Sequence, residues 1–162
     1  MLGLLALRVH PPLVLVAVGL AAAAGIVVGA VDARTRRVPD RVLIPTLVAV
    51  TALLVAAGIV DHRPERLLTA LGGASAAFAG YSLVALVTSG LGLGDCKLAA
   101  LIGLVLGWVG WSAVFAGITL GFALAALFVL PRIVTDGFSR TRTIAFGPFM
   151  LLGALGALLI AA

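Results

Sequence analysis

Charged residues are scarce in this chain of 162 residues. They make up 10% of the sequence, whereas soluble domains hold about 25%. Hydrophobic residues make up 63%, and the mean hydropathy is +1.29. These values exclude a soluble globular domain and predict a polytopic membrane protein of the all-α class. No polar segment is long enough to fold separately, so residues 1–162 are expected to form one transmembrane domain.

Cysteine and histidine are also scarce, and this limits the chemistry available to the chain. The single cysteine, Cys96, excludes an internal disulfide and a cysteine-rich zinc module, and it is expected to be a small buried hydrophobe. His10 and His62 are too few and too far apart for a metal site. We therefore expect no metal and no cofactor. The net charge of +5 comes from basic residues in short loops, so nucleic acid is not expected as a partner.

Uncharged runs in the first half of the chain predict three membrane-spanning helices. Residues 11–31, 42–60 and 67–89 contain no charge, and each run is close to the length of about 20 residues that a bilayer requires. The polar segments between them, residues 32–41 and 61–66, are predicted to be loops. The third run is rich in glycine, alanine and serine, which favour close packing of membrane helices.

The second half of the chain predicts three more helices, the first of them short. Residues 98–131 contain no charge, but as one helix they would be about 51 Å long, well beyond a bilayer core of about 30 Å. A break at residues 107–111 is expected to separate a short fourth helix, residues 95–108, from a fifth helix, residues 111–130, that ends at Pro131. Residues 144–162 are the predicted sixth span, after a polar loop.

The distribution of basic residues predicts the orientation in the membrane. The loops after the first, third and fifth spans hold most of the 11 basic residues: Arg34, Arg36, Arg37, Arg41, Lys97, Arg132, Arg140 and Arg142. The opposite side holds only Arg8, Arg63 and Arg66. Because Lys and Arg are enriched in cytoplasmic loops, the first set is expected in the cytoplasm and both termini outside. Asp32 and Asp95 are then expected to face the same cytoplasmic membrane edge.

The segment Gly92-Leu93-Gly94-Asp95-Cys96-Lys97 is the strongest candidate for a functional site. An ionisable group among apolar spans costs roughly 2.5–3.5 kcal/mol even on mild scales, so Asp95 indicates a function. Gly92 and Gly94 would let an extended substrate backbone approach closely. Asp32 supplies a second carboxylate. Two neighbouring carboxylates can share one proton, so that one activates water while the other hydrogen-bonds a scissile carbonyl, which is typical of aspartic peptide hydrolysis.

Structural roles for the same residues remain open at this point. Asp95 could only cap the fourth helix, and Asp32 could only pair with the neighbouring arginines. Asp40 suits helix capping, and Lys97 could extend its ammonium group to the membrane interface. A small transporter could instead use Asp32 and Asp95 as a proton relay.

Three segments resemble the motifs of the prepilin peptidase family, the type IV leader peptidases, which belong with the Gly-x-Gly-Asp intramembrane aspartic peptidases. Residues 92–98 are similar to the second aspartate motif of that family. Asp32, the basic run and Val38-Pro39-Asp40 resemble the first motif, which more often ends Ile-Pro-Asn. Residues 144–149 resemble a late segment usually written Ile-Pro-Phe-Gly-Pro-Phe.

The resemblance implies a catalytic pair, Asp32 and Asp95. It implies that the other motif residues contact substrate: Gly92, Gly94, Lys97, Pro39, Asp40, Gly147 and Pro148. Larger members of the family carry a cysteine-bearing insert and an N-methyltransferase activity. This chain resembles the short forms that serve Flp/Tad-type pili, so methylation is not expected.

The family resemblance also implies a substrate and a location. The substrates would be prepilin-like proteins with a basic leader, cleaved at the cytoplasmic edge of the bacterial inner membrane, with the lipid bilayer as the surroundings. A non-catalytic component of a pilus or secretion machine is the alternative from another functional class. The oligomeric state stays open.

Overall fold

Six α-helices form the part of the chain that the computed structural model describes, residues 12–35, 37–87, 91–136 and 146–161. No strand occurs among these residues, so the prediction of an all-α polytopic membrane protein is confirmed. The helices in chain order are α1 (Pro12–Thr35), α2 (Asp40–Val60), α3 (Pro64–Val87), α4 (Leu93–Val109), α5 (Trp111–Asp136) and α6 (Gly147–Ala161).

Four of these helices are long and apolar enough to cross a membrane: α1, α2, α3 and the Trp111–Phe128 part of α5. Helix α6 is a shorter apolar helix of 15 residues. Large apolar side chains point outward from several helices, as lipid-facing positions require; Ile26, Leu68 and Leu127 are each at least 70% exposed. The bundle therefore turns an apolar surface toward the bilayer.

Helix α4 has 17 residues, so the expected short fourth helix is present. It contacts all five of the other helices and is buried along most of its length. Because neighbouring helices cover it, its length need not match the bilayer thickness. At its start Leu93 is exposed, whereas Asp95 and Cys96 in the same turn are buried within the protein.

Two predicted helix ends are wrong. Helix α1 continues to Thr35, so Asp32 lies in its last turn and not in a loop. Ala33, Arg34 and Thr35 can continue a helix, and the Thr35 hydroxyl donates to the carbonyl of Val31 at 2.9 Å. Helix α5 continues through Pro131 to Asp136. A proline removes one helical hydrogen bond, but neighbouring groups can compensate for that loss within a membrane bundle.

Glycines allow helices α3 and α4 to pack with their backbones in contact. A Cβ atom on Gly107 would lie 2.5 Å from the carbonyl oxygen of Thr69 and 2.8 Å from the Cα atom of Ala70. A Cβ atom on Gly73 would lie 2.5 Å from the carbonyl oxygen of Gly103. Small residues at such contacts are typical of membrane helix pairs. They fix α4 against α3.

Helix α6 packs in the same close way between α1 and α5. Gly25 and Gly29 of α1 face Leu151, and a Cβ atom on either glycine would lie 2.8 Å from that side chain. Gly153 on the other side of α6 faces the backbone of α5. This packing sets the start of α6 beside the last turn of α1, where Asp32 lies.

Candidate active site

Asp32 is buried where the end of α1 meets the start of α6. Asp32 is 4% exposed, and its Oδ2 atom accepts a hydrogen bond of 3.1 Å from the backbone N–H of Gly147. The first N–H groups of a helix lack partners within the helix and favour a carboxylate. The backbone N–H group of Gly147 therefore gives Asp32 a structural reason for its orientation.

Asp95 lies in the first turn of α4 and is buried, with 8% of the residue exposed. Its Oδ2 atom accepts a hydrogen bond of 3.1 Å from the backbone N–H of Gly92, and its own N–H donates to the carbonyl of Gly92 at 3.0 Å. Its Oδ1 atom is buried and has no hydrogen-bond partner among the described residues. A capping role thus accounts for one oxygen of Asp95 and leaves the other unexplained.

The two carboxylates approach one another where α1, α4 and α6 meet. A Cβ atom on Gly147 would lie 2.9 Å from Oδ2 of Asp32 and 3.5 Å from Leu98, which follows Asp95 by one turn of α4. The carboxylates of Asp32 and Asp95 also lie within range of an electrostatic interaction. The two charged stretches of the sequence therefore meet at one end of the bundle.

The residues after Asp32 and Asp95 contact each other as well. The Nζ atom of Lys97 bonds both carboxylate oxygens of Asp40, at 2.8 and 2.9 Å. The side chain of Val38 covers Gly94, where an added Cβ atom would lie 2.6 Å from the Cβ atom of Val38. Gly94 has no side chain, and Val38 occupies the space that one would fill. This face of Gly94 is therefore not open to an extended substrate.

The prediction that Asp40 caps a helix is wrong. Pro39 occupies the N-cap position of α2, and its carbonyl accepts hydrogen bonds from Val42 and Leu43 at 3.0 and 3.1 Å. Asp40 is the first helical residue and makes no capping bond, since its carboxylate bonds Lys97. A negative charge in the first turn still suits the positive end of the helix dipole.

An aromatic cluster lies next to the carboxylates and was not predicted. Tyr81 of α3 stacks on Phe122 of α5 with ring centroids 4.9 Å apart, and Phe146 lies 5.3 Å from Phe122 and 6.1 Å from Tyr81. Tyr81 is 3% exposed and within range of an electrostatic interaction with Asp95. It is the only tyrosine in the chain. Its hydroxyl group within an otherwise apolar helix was the sequence feature that could have marked it as a site residue.

Gly92 and Pro148, like Pro39, lie at the starts of helices. Gly92 is exposed at the N-cap of α4, and Pro148 is half-buried in the first turn of α6. Cys96 is fully buried, as expected. His10 lies outside the described residues. Within the described part of the chain, no group of three or more His, Cys, Asp or Glu side chains could hold a metal ion.

An apolar cavity of about 110 Å³ lies between α1, α4 and α6. One of its lining residues, Leu98, follows Asp95 by one turn of α4 and faces Gly147. The cavity is lined by Val18, Ala21, Ala22, Leu98, Leu101, Ile102, Val105, Leu106, Leu151, Ala154, Leu155 and Leu158. The cavity suits only apolar groups, and Leu98 belongs both to its lining and to the helix turn that follows Asp95.

An apolar helical bundle that buries two carboxylates from different helices at one end defines a multi-pass membrane protein with a paired-carboxylate site. The model of the type IV leader peptidase family matches residues 16–134, more than half of the chain. The chain therefore belongs to the type IV leader peptidase family, a family of membrane proteases that act on prepilins. The matched region contains Asp32 and Asp95 and ends before Gly147. No curated protein and no solved structure matches the chain.

Proposed function

We propose that the chain is an aspartic endopeptidase that removes basic leader peptides from type IV prepilins of the Flp/Tad kind. Cleavage takes place at the cytoplasmic edge of the bacterial inner membrane, with Asp32 and Asp95 as the catalytic pair. One observation carries the proposal: the buried carboxylates of α1 and α4 meet at one end of the bundle. Buried carboxylates in an apolar helical bundle are costly unless they serve a function.

The hydrogen bonds suggest how the two acids divide the chemistry. In each carboxylate a backbone N–H group holds Oδ2, from Gly147 for Asp32 and from Gly92 for Asp95. The ionised member of the pair takes a proton from water as the water oxygen attacks the scissile carbonyl carbon. The protonated member donates to the carbonyl oxygen. When the carbon–nitrogen bond breaks, the leaving nitrogen receives a proton from the pair.

The buried Oδ1 atom of Asp95 is the atom that we assign to this chemistry. It has no hydrogen-bond partner among the described residues, so contact with water or with the scissile carbonyl would satisfy it. Gly92 and Gly147 donate hydrogen bonds to the carboxylates, and we propose that they contact the substrate backbone together with Pro39 and Pro148. The apolar cavity beyond Leu98 suits the hydrophobic segment that follows the leader in such precursors.

A co-expression experiment tests the proposed activity. A small membrane protein encoded near this one, with a basic leader followed by glycine and a long apolar helix, is expressed with and without the enzyme. We expect a shorter form only when the enzyme is present, with a new N-terminus identified by mass spectrometry. A precursor that stays full length would instead favour a non-catalytic component of a pilus or secretion machine. Solute uptake coupled to pH in vesicles would favour a transporter.

Gly147 offers a test of the contact that orients Asp32. In Gly147→Ala the new methyl group would lie 2.9 Å from Oδ2 of Asp32, so the hydrogen bond must lengthen or the carboxylate must move. We expect the rate of precursor cleavage to fall about tenfold, because small displacements of a catalytic group are costly.

Gly156→Ala is the matched control for that variant, since it makes the same change in the same helix. Its methyl group would meet only the flexible end of Leu120, at 3.2 Å. Rates are measured in membranes containing equal amounts of each protein. Equal cleavage by the two variants would show that the bond between Gly147 and Asp32 does not matter for activity.

A further inference from the structure

We propose that Asp40, Lys97, Val38 and Gly94 form a clasp that sets the position of Asp95 relative to Asp32. Asp40 and Lys97 are then positioning residues, which act through the catalytic pair and do not touch the substrate. The activity arm of the test rests on the proposed function, whereas a second arm measures the clasp without any cleavage.

The chain connections make this clasp a direct link between the two carboxylates. Asp32 lies in the last turn of α1, and only residues 36–39 separate that helix from Asp40 at the start of α2. Lys97 follows Asp95 by two residues in the first turns of α4. A bond between Asp40 and Lys97 therefore closes a short loop around the site, and its loss lets the ends of α1 and α4 move apart.

Two different kinds of contact close the loop. The ion pair is bidentate, with Nζ of Lys97 at 2.8 and 2.9 Å from the two oxygens of Asp40. Beside it, the half-buried side chain of Val38 fills the space that Gly94 leaves open. The apolar contact limits how far the loop can move, and the ion pair selects one arrangement within that limit.

Exposure determines how large the effect can be. The side chain of Lys97 is 35% exposed and that of Asp40 is 52% exposed, so water and salt screen the pair. We expect Asp40→Ala and Lys97→Ala each to lower kcat for precursor cleavage by about two- to fivefold. KM is expected to stay unchanged, because the substrate does not touch either charge.

Three further results distinguish a clasp from two independent residues. The double variant is expected to be no slower than either single variant, since each change breaks the same bond. The exchanged pair, Asp40→Lys with Lys97→Asp, is expected to recover most of kcat. At 1 M salt the Debye length is about 3 Å, so the ion pair is screened. We expect this salt concentration to lower wild-type kcat toward that of Lys97→Ala and to leave kcat of the single variants unchanged.

Cys96 reports on the clasp without any substrate. It is the only cysteine, it is fully buried, and it lies between Asp95 and Lys97 in α4. In native membranes we expect N-ethylmaleimide to label it slowly in the wild type and in the exchanged pair. Labelling is expected to be several-fold faster in Asp40→Ala and Lys97→Ala, because the first turn of α4 opens more often.

Two controls match the charges that these variants remove. Arg41→Ala is the control for Lys97→Ala, because it also removes a positive charge near Asp40; Arg41 is the exposed residue that follows Asp40. Glu65→Ala removes an acidic residue from the first turn of α3, as Asp40→Ala does from α2, so it accounts for the helix-dipole effect. Both controls are expected to label and cleave like the wild type.

Each outcome either supports or overturns the clasp. A raised KM with unchanged kcat and unchanged labelling of Cys96 would show that Lys97 binds substrate, and would overturn it. Additive single effects, or an exchanged pair no better than the single variants, would also overturn it. If labelling follows the expected pattern but the wild type cleaves no precursor, the clasp stands and the proposed function fails.

Discussion

Asp32→Asn and Asp95→Asn are each expected to lower precursor cleavage by a hundredfold to about ten-thousandfold, the usual range for loss of a general acid or base. An amide can neither take a proton from water nor share one with the remaining acid. Asparagine keeps the shape of aspartate and an oxygen that can accept from Gly92 or Gly147. The variants should therefore insert and fold, and a loss of cleavage then reports on chemistry.

Asp61→Asn is the matched control for these two variants. Asp61 is also a partly buried carboxylate with an oxygen that lacks a hydrogen-bond partner among the described residues. It lies in the turn between α2 and α3, at the other end of α2 from Asp40. We expect Asp61→Asn to cleave precursor at the wild-type rate in the same membranes. Cleavage retained in either Asp32→Asn or Asp95→Asn would refute the proposed catalytic pair.

Gly73→Ala is expected to lower the free energy of unfolding by about 1–3 kcal/mol, which is the usual cost of forcing an extra group into a packed contact. Its Cβ atom would lie 2.5 Å from the carbonyl oxygen of Gly103 and 3.1 Å from the Cα atom of Gly107. These are backbone atoms, so relief requires α3 and α4 to separate. Because α4 holds Asp95, cleavage should fall together with stability.

Gly80→Ala makes the same change in the same helix without the same obstacle. No atom of the described residues lies within 4 Å of a Cβ atom at Gly80, which faces outward. Alanine also favours the helix over glycine, so stability should stay the same or rise slightly. Thermal unfolding of both variants in one detergent checks the difference. Similar midpoints for the two variants would contradict the close backbone packing of α3 and α4.

Membrane spans could be predicted from the sequence because apolar runs of a given length have few other uses. Helix ends were harder to predict. The charge of Asp32 suggested the end of a span, but the backbone helix continues for most of another turn to Thr35. Pro131 suggested the end of a helix, but α5 continues through it. A charged residue marks where the chain leaves the bilayer core, and a proline marks where a helical hydrogen bond is lost. Neither determines the residue at which the helix ends.

Within the site, the residue types could be predicted and their partners could not. Asp32, Asp95, Gly147 and Lys97 stand out as charges or motif residues within apolar surroundings. The bond from Gly147 to Asp32 and the bond from Lys97 to Asp40 join residues 115 and 57 positions apart. Such pairs depend on how helices pack, which local periodicity does not encode. Tyr81 was missed for the same reason, since only the packing of α3 brings it near Asp95.

Cross-linking tests the central claim, that the two carboxylates share one pocket, most directly. Cysteines replace Asp32 and Asp95 in a Cys96→Ala background, and a short bifunctional thiol reagent is applied to native membranes. We predict a link between positions 32 and 95 within one chain, identified by mass spectrometry. The control pair at positions 32 and 62 should not link, because α2 has 21 residues and separates them by about 30 Å. Thiols at 32 and 95 that each react alone but never link would contradict the shared pocket.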